Sequence, residues 1–123
     1  IPWSPLAAGL VTRPWGESST TRSRSNPRAD PSGRPLWLET DKGTVDAVQA
    51  IAEARDVSMA QIALAWVLHN PVVSAPIVGA PKPHHLADAA AALAVHLTGE
   101  EVAALEEHYT PRLPTYYGTK SGF

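Results

Sequence analysis

Apolar positions along the chain fall into blocks separated by turn-forming residues. The first block, Ile1-Pro-Trp-Ser-Pro-Leu-Ala-Ala-Gly-Leu10, reads as a strand running into a turn, and it opens inside an element, as the middle of a longer chain would. Residues 12–35 offer only Trp15 and Ala29 as core candidates. That is too little apolar surface to offset the entropy of ordering, so a long mobile loop is expected over residues 12–43. From Thr44, the residues Val45, Val48, Ile51 and Ala52 recur at helical spacing as far as Arg55. A second helix is expected from Ser58, because Ser58-Met-Ala-Gln61 reads as a capping box and Val57 is placed to staple onto Ile62. Met59, Ile62, Ala63, Trp66 and Val67 share one of its faces. Ala60, Leu64, Ala65 and Leu68 leave little polar surface elsewhere, which predicts burial on most sides. Asn70-Pro71 should end it, a residue tolerant of the left-handed conformation followed by a helix breaker.

Val72 to Val78 is short, rich in valine and isoleucine, and stops at Gly79, so it reads as a buried strand. Pro83 suits the first position of a helix carrying Leu86, Ala89, Ala90 and Leu93 on one face. Thr98-Gly-Glu-Glu101 is a second capping box, with Leu97 placed to staple onto Val102; it opens a last helix whose apolar side is Val102, Leu105 and Tyr109. Three aromatic residues, Pro114, Gly118 and Gly122 make the tail from Pro111 read as coil. The order is therefore strand, long loop, two helices, strand, helix, helix. This is a βα-βα pattern, whose parallel strands demand helical cover. Two such strands alone make a poor sheet, which predicts pairing with another copy or with strands on sequence outside these residues.

Composition narrows the picture. A chain of 123 residues and 13.1 kDa is long enough for one modest core, burying about two-thirds of its extended surface. The net charge of -2 argues against a general polyanion binder, although five of the ten basic residues crowd into the loop as Arg13, Arg22, Arg24, Arg28 and Arg34. Those arginines alternate with serine and proline rather than aromatics, so no nucleic-acid face is expected. The chain has no cysteine and therefore no disulfide or thiol chemistry. Without a run of 18 apolar residues or a basic-then-apolar leader, no membrane association is expected, and the default location is cytoplasmic.

The sharpest chemical signal is Ile77-Val-Gly-Ala-Pro-Lys-Pro-His-His-Leu86, where a strand end leads into a helix. Gly79 permits close backbone approach, Lys82 supplies a point charge, and helix-start amides near His84 and His85 offer free donors. Such a loop suits a phosphate at the C-terminal end of a parallel strand; read blandly, it is a Gly-Pro turn with a solvated lysine. Trp3-Ser-Pro-Leu6 would open at the same sheet edge. There Trp3 is suited either to stacking on a planar ring or to the core, and Ser4 to binding an oxygen of a pyrophosphate.

Taken in order, these segments resemble the C-terminal part of the aldo-keto reductase family. The stretches that carry the resemblance are Pro2 to Leu10, Val57 to Leu68, Pro76 to Leu86 and Leu97 to Leu105, and it extends over residues 1 to about 117. It implies an α/β fold, the C-terminal fragment of a (β/α)8 TIM barrel, with two parallel strands and their covering helices in a single partial domain over residues 1–123. It also implies an NADPH-dependent reduction of aldehydes or ketones to alcohols by hydride transfer. Position by position, Trp3 takes the place of the aromatic that stacks on the nicotinamide, and Ser4 and Leu6 contact the pyrophosphate. Gly79, Ala80 and Lys82 surround the 2′-phosphate, with His85 and Asp88 further along the helix.

Two positions depart from the family. His85 stands where arginine or glutamine is common, and Ala89 where asparagine commonly contacts adenine. Preference for a 2′-phosphate then rests largely on Lys82, since histidine is mostly neutral near pH 7. The family's tetrad of aspartate, tyrosine, lysine and histidine lies on earlier strands, so no catalytic residue is expected in this chain. The expected partners are the nicotinamide cofactor, a small carbonyl substrate, and either the N-terminal part of the barrel or another copy. The competing reading is a noncatalytic chain that binds nucleotide or assembles with itself.

Other patterns carry less. Tyr116-Tyr-Gly-Thr-Lys120 has the spacing of a short-chain dehydrogenase acid-base pair, but Pro114 and Gly118 interrupt the helix it needs. His84, His85 and Asp88 are too few for a metal site.

Overall fold

A computed structural model describes residues 1–17 and 38–111. Four α-helices carry it: α1 Lys42–Arg55, α2 Met59–His69, α3 Pro83–Ala91 and α4 Gly99–Glu106. A 3-10 turn, Glu39–Asp41, leads directly into α1, so ordered structure begins ahead of residue 43. Its carboxylate Asp41 accepts a bond from the Leu38 amide at 2.9 Å.

α1 buries Val45, Val48, Ile51 and Ala52, the stripe that its spacing predicts. It ends at Asp56, whose φ of 51° is a conformation that short polar side chains tolerate better than most. α2 starts where Ser58 Oγ accepts from the Gln61 amide at 3.2 Å. Only this half of the expected capping box forms, because the Gln61 side chain turns instead to Asp88 on α3. The second box is complete: Thr98 Oγ1 accepts from the Glu101 amide, and Glu101 Oε2 accepts from the Thr98 amide at 2.8 Å. Each such cap contributes about 1 kcal/mol.

The core gathers Leu10 from the first segment, Val45, Val48, Ile51 and Ala52 from α1, Met59 and Ile62 from α2, and Leu105 from α4. Ile62 is fully buried at its centre. Val57 packs on the same cluster, as a staple to Ile62 requires, and Val95 and Leu97 extend the cluster toward α4. Beyond the core, Arg55 at the end of α1 reaches the start of α4. Its Nε and Nη2 donate to the two carboxylate oxygens of Glu101 at 2.6 Å each, and Nη2 also donates to the His96 carbonyl at 3.0 Å. This guanidinium holds the Glu101 carboxyl down at about 2, with the Thr98 amide helping, and the shared bond raises Arg55 above its ordinary value.

The strands depart from expectation. Among the described residues the two parallel strands reduce to one parallel bridge, Trp3 with Ile77, in which the Ile77 amide donates to the Pro2 carbonyl at 3.0 Å. Val72 to Val78 is not a buried strand: Val72 is 81% exposed and Ile77 55%. The cause is local. Pro2, Pro5 and Pro76 supply no N–H to a ladder, and Ser4, at φ 54°, leaves the extended conformation one residue after the bridge. Asn70 also differs. Its backbone is extended rather than left-handed, and its Oδ1 accepts from the Val72 amide at 3.1 Å, turning the chain after α2. The apolar face expected on the third helix is open as well, with Leu86 and Leu93 both exposed. On the last helix Leu105 is buried, but Tyr109 lies beyond the helix end and is exposed. Residues 18–37 of the expected loop and the tail after Pro111, including the Tyr116 to Lys120 pattern, lie outside the described residues.

Candidate functional site

The bridge between Trp3 and Ile77 runs parallel, so the turns that follow the two segments emerge at the same end. On one side are Trp3, Ser4 and Leu6; on the other, Gly79, Ala80 and Lys82. Trp3 is 64% exposed and is not part of the core. Ser4 and Leu6 are half-buried, and their carbonyls accept from Ala7 at 3.1 Å and Gly9 at 2.8 Å, folding the chain into two successive tight turns. Ser4, Ala7 and Ala8 all have φ near +50°, and Gly9 follows at 94°. Alanine pays about 1–2 kcal/mol to sit there, so this turn is held by its surroundings; Leu10, which follows it directly, is part of the core.

Across the bridge, a Cβ built on Gly79 meets no atom within 4 Å among the described residues beyond its chain neighbours. Lys82 is the N-cap of α3 and is exposed, with its carbonyl accepting from the His85 amide at 3.0 Å. No carboxylate pairs with it among the described residues. Pro83 occupies the first helical position, as its fixed φ favours. His84 and His85 stack edge to face, with ring centroids 4.3 Å apart. Lys82 and the open helix start make this end of the site positive and accessible, which suits an anion.

Asp88 sits elsewhere in the arrangement. Half-buried on α3, it accepts from Gln61 Nε2 on α2 at 3.0 Å, so part of its hydrogen-bonding capacity is used inside the fold. The sequence pattern did not signal this bond, because Gln61 was already accounted for as a cap. The turn of positive φ at Ser4 to Gly9 was equally silent, since two of its members are alanine. Among the described residues no group of three or more histidine, aspartate or glutamate side chains is placed to hold a metal ion. No helix among them is long and apolar enough to cross a membrane.

The model of the Aldo/keto reductase family matches residues 1–110, most of the chain and both sides of the bridge. The chain belongs to the aldo-keto reductase family. Membership implies a (β/α)8 barrel, of which the described residues hold one parallel pairing and its covering helices. Among similar proteins is versiconal hemiacetal acetate reductase of Aspergillus parasiticus, 40% identical over 91% of this chain and 32% of the relative. A putative aryl-alcohol dehydrogenase of Saccharomyces cerevisiae is 40% identical over the same shares of both chains. A second putative aryl-alcohol dehydrogenase, of Schizosaccharomyces pombe, is 41% identical over 90% of this chain and 30% of its own length. The chain thus spans about a third of the length of the curated relatives it matches. Aldo-keto reductases generally use nicotinamide cofactors, and the open, positive turn at Gly79 to Lys82 is chemically compatible with the anionic part of one.

Proposed function

We propose that this chain forms the cofactor-binding wall of an NADP(H)-dependent aldo-keto reductase that reduces aldehydes or ketones to alcohols. The observation that supports this reading is the parallel Trp3–Ile77 bridge, after which the segments carrying Ser4–Leu6 and Gly79–Lys82 both leave from the same end of the pair. The nicotinamide cofactor would supply the hydride. This chain's part is to bind and orient it. The exposed indole of Trp3 offers a flat apolar surface to a planar ring, and Ser4 a hydroxyl to a phosphate oxygen. Gly79 and Ala80 leave room for close backbone approach, and Lys82 offers an unneutralised charge to a 2′-phosphate, with His85 alongside. The acid-base tetrad that the family uses has no counterpart among these residues, so the 123 residues alone bind cofactor without turning over a carbonyl substrate.

The test is calorimetric titration of the 123-residue chain with 2′,5′-ADP, which carries the diagnostic phosphate, and with 5′-AMP, which lacks it. Tighter binding of 2′,5′-ADP that weakens with salt and is lost in Lys82→Glu supports the reading. Equal affinity for the two, or binding untouched by Lys82→Glu, overturns it for the phosphate end. Steady aldehyde-dependent oxidation of NADPH by the pure chain overturns the claim that the catalytic groups lie outside it.

A further inference from the structure

Among the described residues α3 packs mainly on α2. None of its residues is buried, its N-cap Lys82 makes no side-chain cap bond, and Leu86 points its bulk to solvent. Its inward stripe is His85, Asp88 and Ala89, half-buried and either polar or small, and the first buried residue comes only after the helix, at Ala92. Among the described residues one side-chain hydrogen bond ties α3 to another element, from Gln61 Nε2 to Asp88 Oδ1 at 3.0 Å.

We propose that Gln61 is the positioning residue for the phosphate end of the site. By holding Asp88 against α2 it fixes α3 about its own axis, and with it the first turn that carries Lys82, His84 and His85. The bond also occupies a carboxylate oxygen that stands three residues beyond His85 on the same helix face. Released from Gln61, that carboxylate is free to turn toward His85 and the helix start, where it opposes an incoming phosphate. A bond to a charged, half-buried acceptor is worth more than a neutral one, which is why a helix with so few apolar anchors depends on it. The functional half of this inference rests on the cofactor reading above.

The experiment compares the 123-residue chain with Gln61→Met, which keeps the length and removes the donor, and Gln61→Lys, which restores a donor to Asp88. Amide hydrogen exchange is read at residues 87–90 and, as a control, at residues 46–54 of α1. Binding of 2′,5′-ADP and 5′-AMP is measured on the same three proteins. Gln61→Met should speed exchange in α3 about tenfold, the scale of one bond to a charged group, and leave α1 unchanged. It should weaken 2′,5′-ADP more than 5′-AMP, and Gln61→Lys should recover both effects. Unchanged exchange in α3, or acceleration that extends equally to α1, overturns the positioning role. If α3 exchange responds as expected and the unaltered chain shows no preference for 2′,5′-ADP, the positioning of α3 stands and the cofactor reading fails.

Discussion

Gly43 and His108 show how much one hydrogen atom decides. Gly43 lies in the first turn of α1, and the His108 ring after α4 packs against it so closely that a Cβ there would stand 2.6 Å from Cγ and 2.9 Å from Cβ of the imidazole. Those atoms are at the root of the side chain, not its flexible end. A helical glycine replaced by alanine ordinarily gains about 1 kcal/mol. Here the sign reverses: Gly43→Ala should lower the urea midpoint, and adding His108→Ala should restore most of the loss. A midpoint that rises in the single variant would show that the ring swings clear at no cost. The same scale explains what the sequence could not disclose at the site. Lys82, Pro83 and Gly79 stand out by type, and Pro83 occupies the helix start that its type suggests. Ala7 and Ala8 give no hint of a left-handed backbone, and Gln61 satisfies a capping pattern while its side chain bonds to a residue 27 positions away.

At the scale of elements, helices were legible because each one's evidence is local. The spacing of Val45, Val48 and Ile51, the Ser58 and Thr98 caps and the Pro83 start all lie within a turn or two of what they determine. A strand's evidence is shared with its neighbour, so Val72 to Val78, apolar by composition, has one bridge to show for it. The tie between α1 and α4 was hidden for a related reason, since Arg55 and Glu101 are 46 residues apart. That pair sets a pH dependence. The Glu101 carboxyl lies at about 2 in the fold, below the roughly 4.3 of an unfolded glutamate. A depressed value means the bridge stabilises fully above the unfolded value and loses its effect as pH falls toward 2. Glu101→Gln keeps an acceptor for the Thr98 amide but removes the charge. Its urea midpoint should fall below that of the unaltered chain at pH 6, and the gap should close between about pH 4 and 2. A gap that is constant over this range would assign the effect to the cap rather than to the ion pair. Because both side chains are partly exposed, the gap should also shrink in high salt.

Over the whole molecule, apolar weight is distributed unevenly between the helical side and the bridge side. Ile62 is fully buried, whereas Trp3 and Ile77, which form the one bridge among the described residues, and Ile1 and Val72 on the same two segments are all exposed. In a (β/α)8 barrel, residues at such positions face further strands or the barrel interior, and a chain spanning about a third of its relatives supplies only part of that cover. Two truncations separate the sides. Ile62→Ala removes methylenes from a packed core and should cost about 2–5 kcal/mol by urea denaturation. Ile77→Ala removes them from a side chain already 55% in water, and should cost less than about 1 kcal/mol. A cost for Ile77→Ala that approaches that of Ile62→Ala would mean that the bridge side is covered in solution. Measuring native mass on the same samples then decides by what: a mass above 13.1 kDa identifies further copies or a second polypeptide, and a mass of 13.1 kDa identifies cover from within the chain.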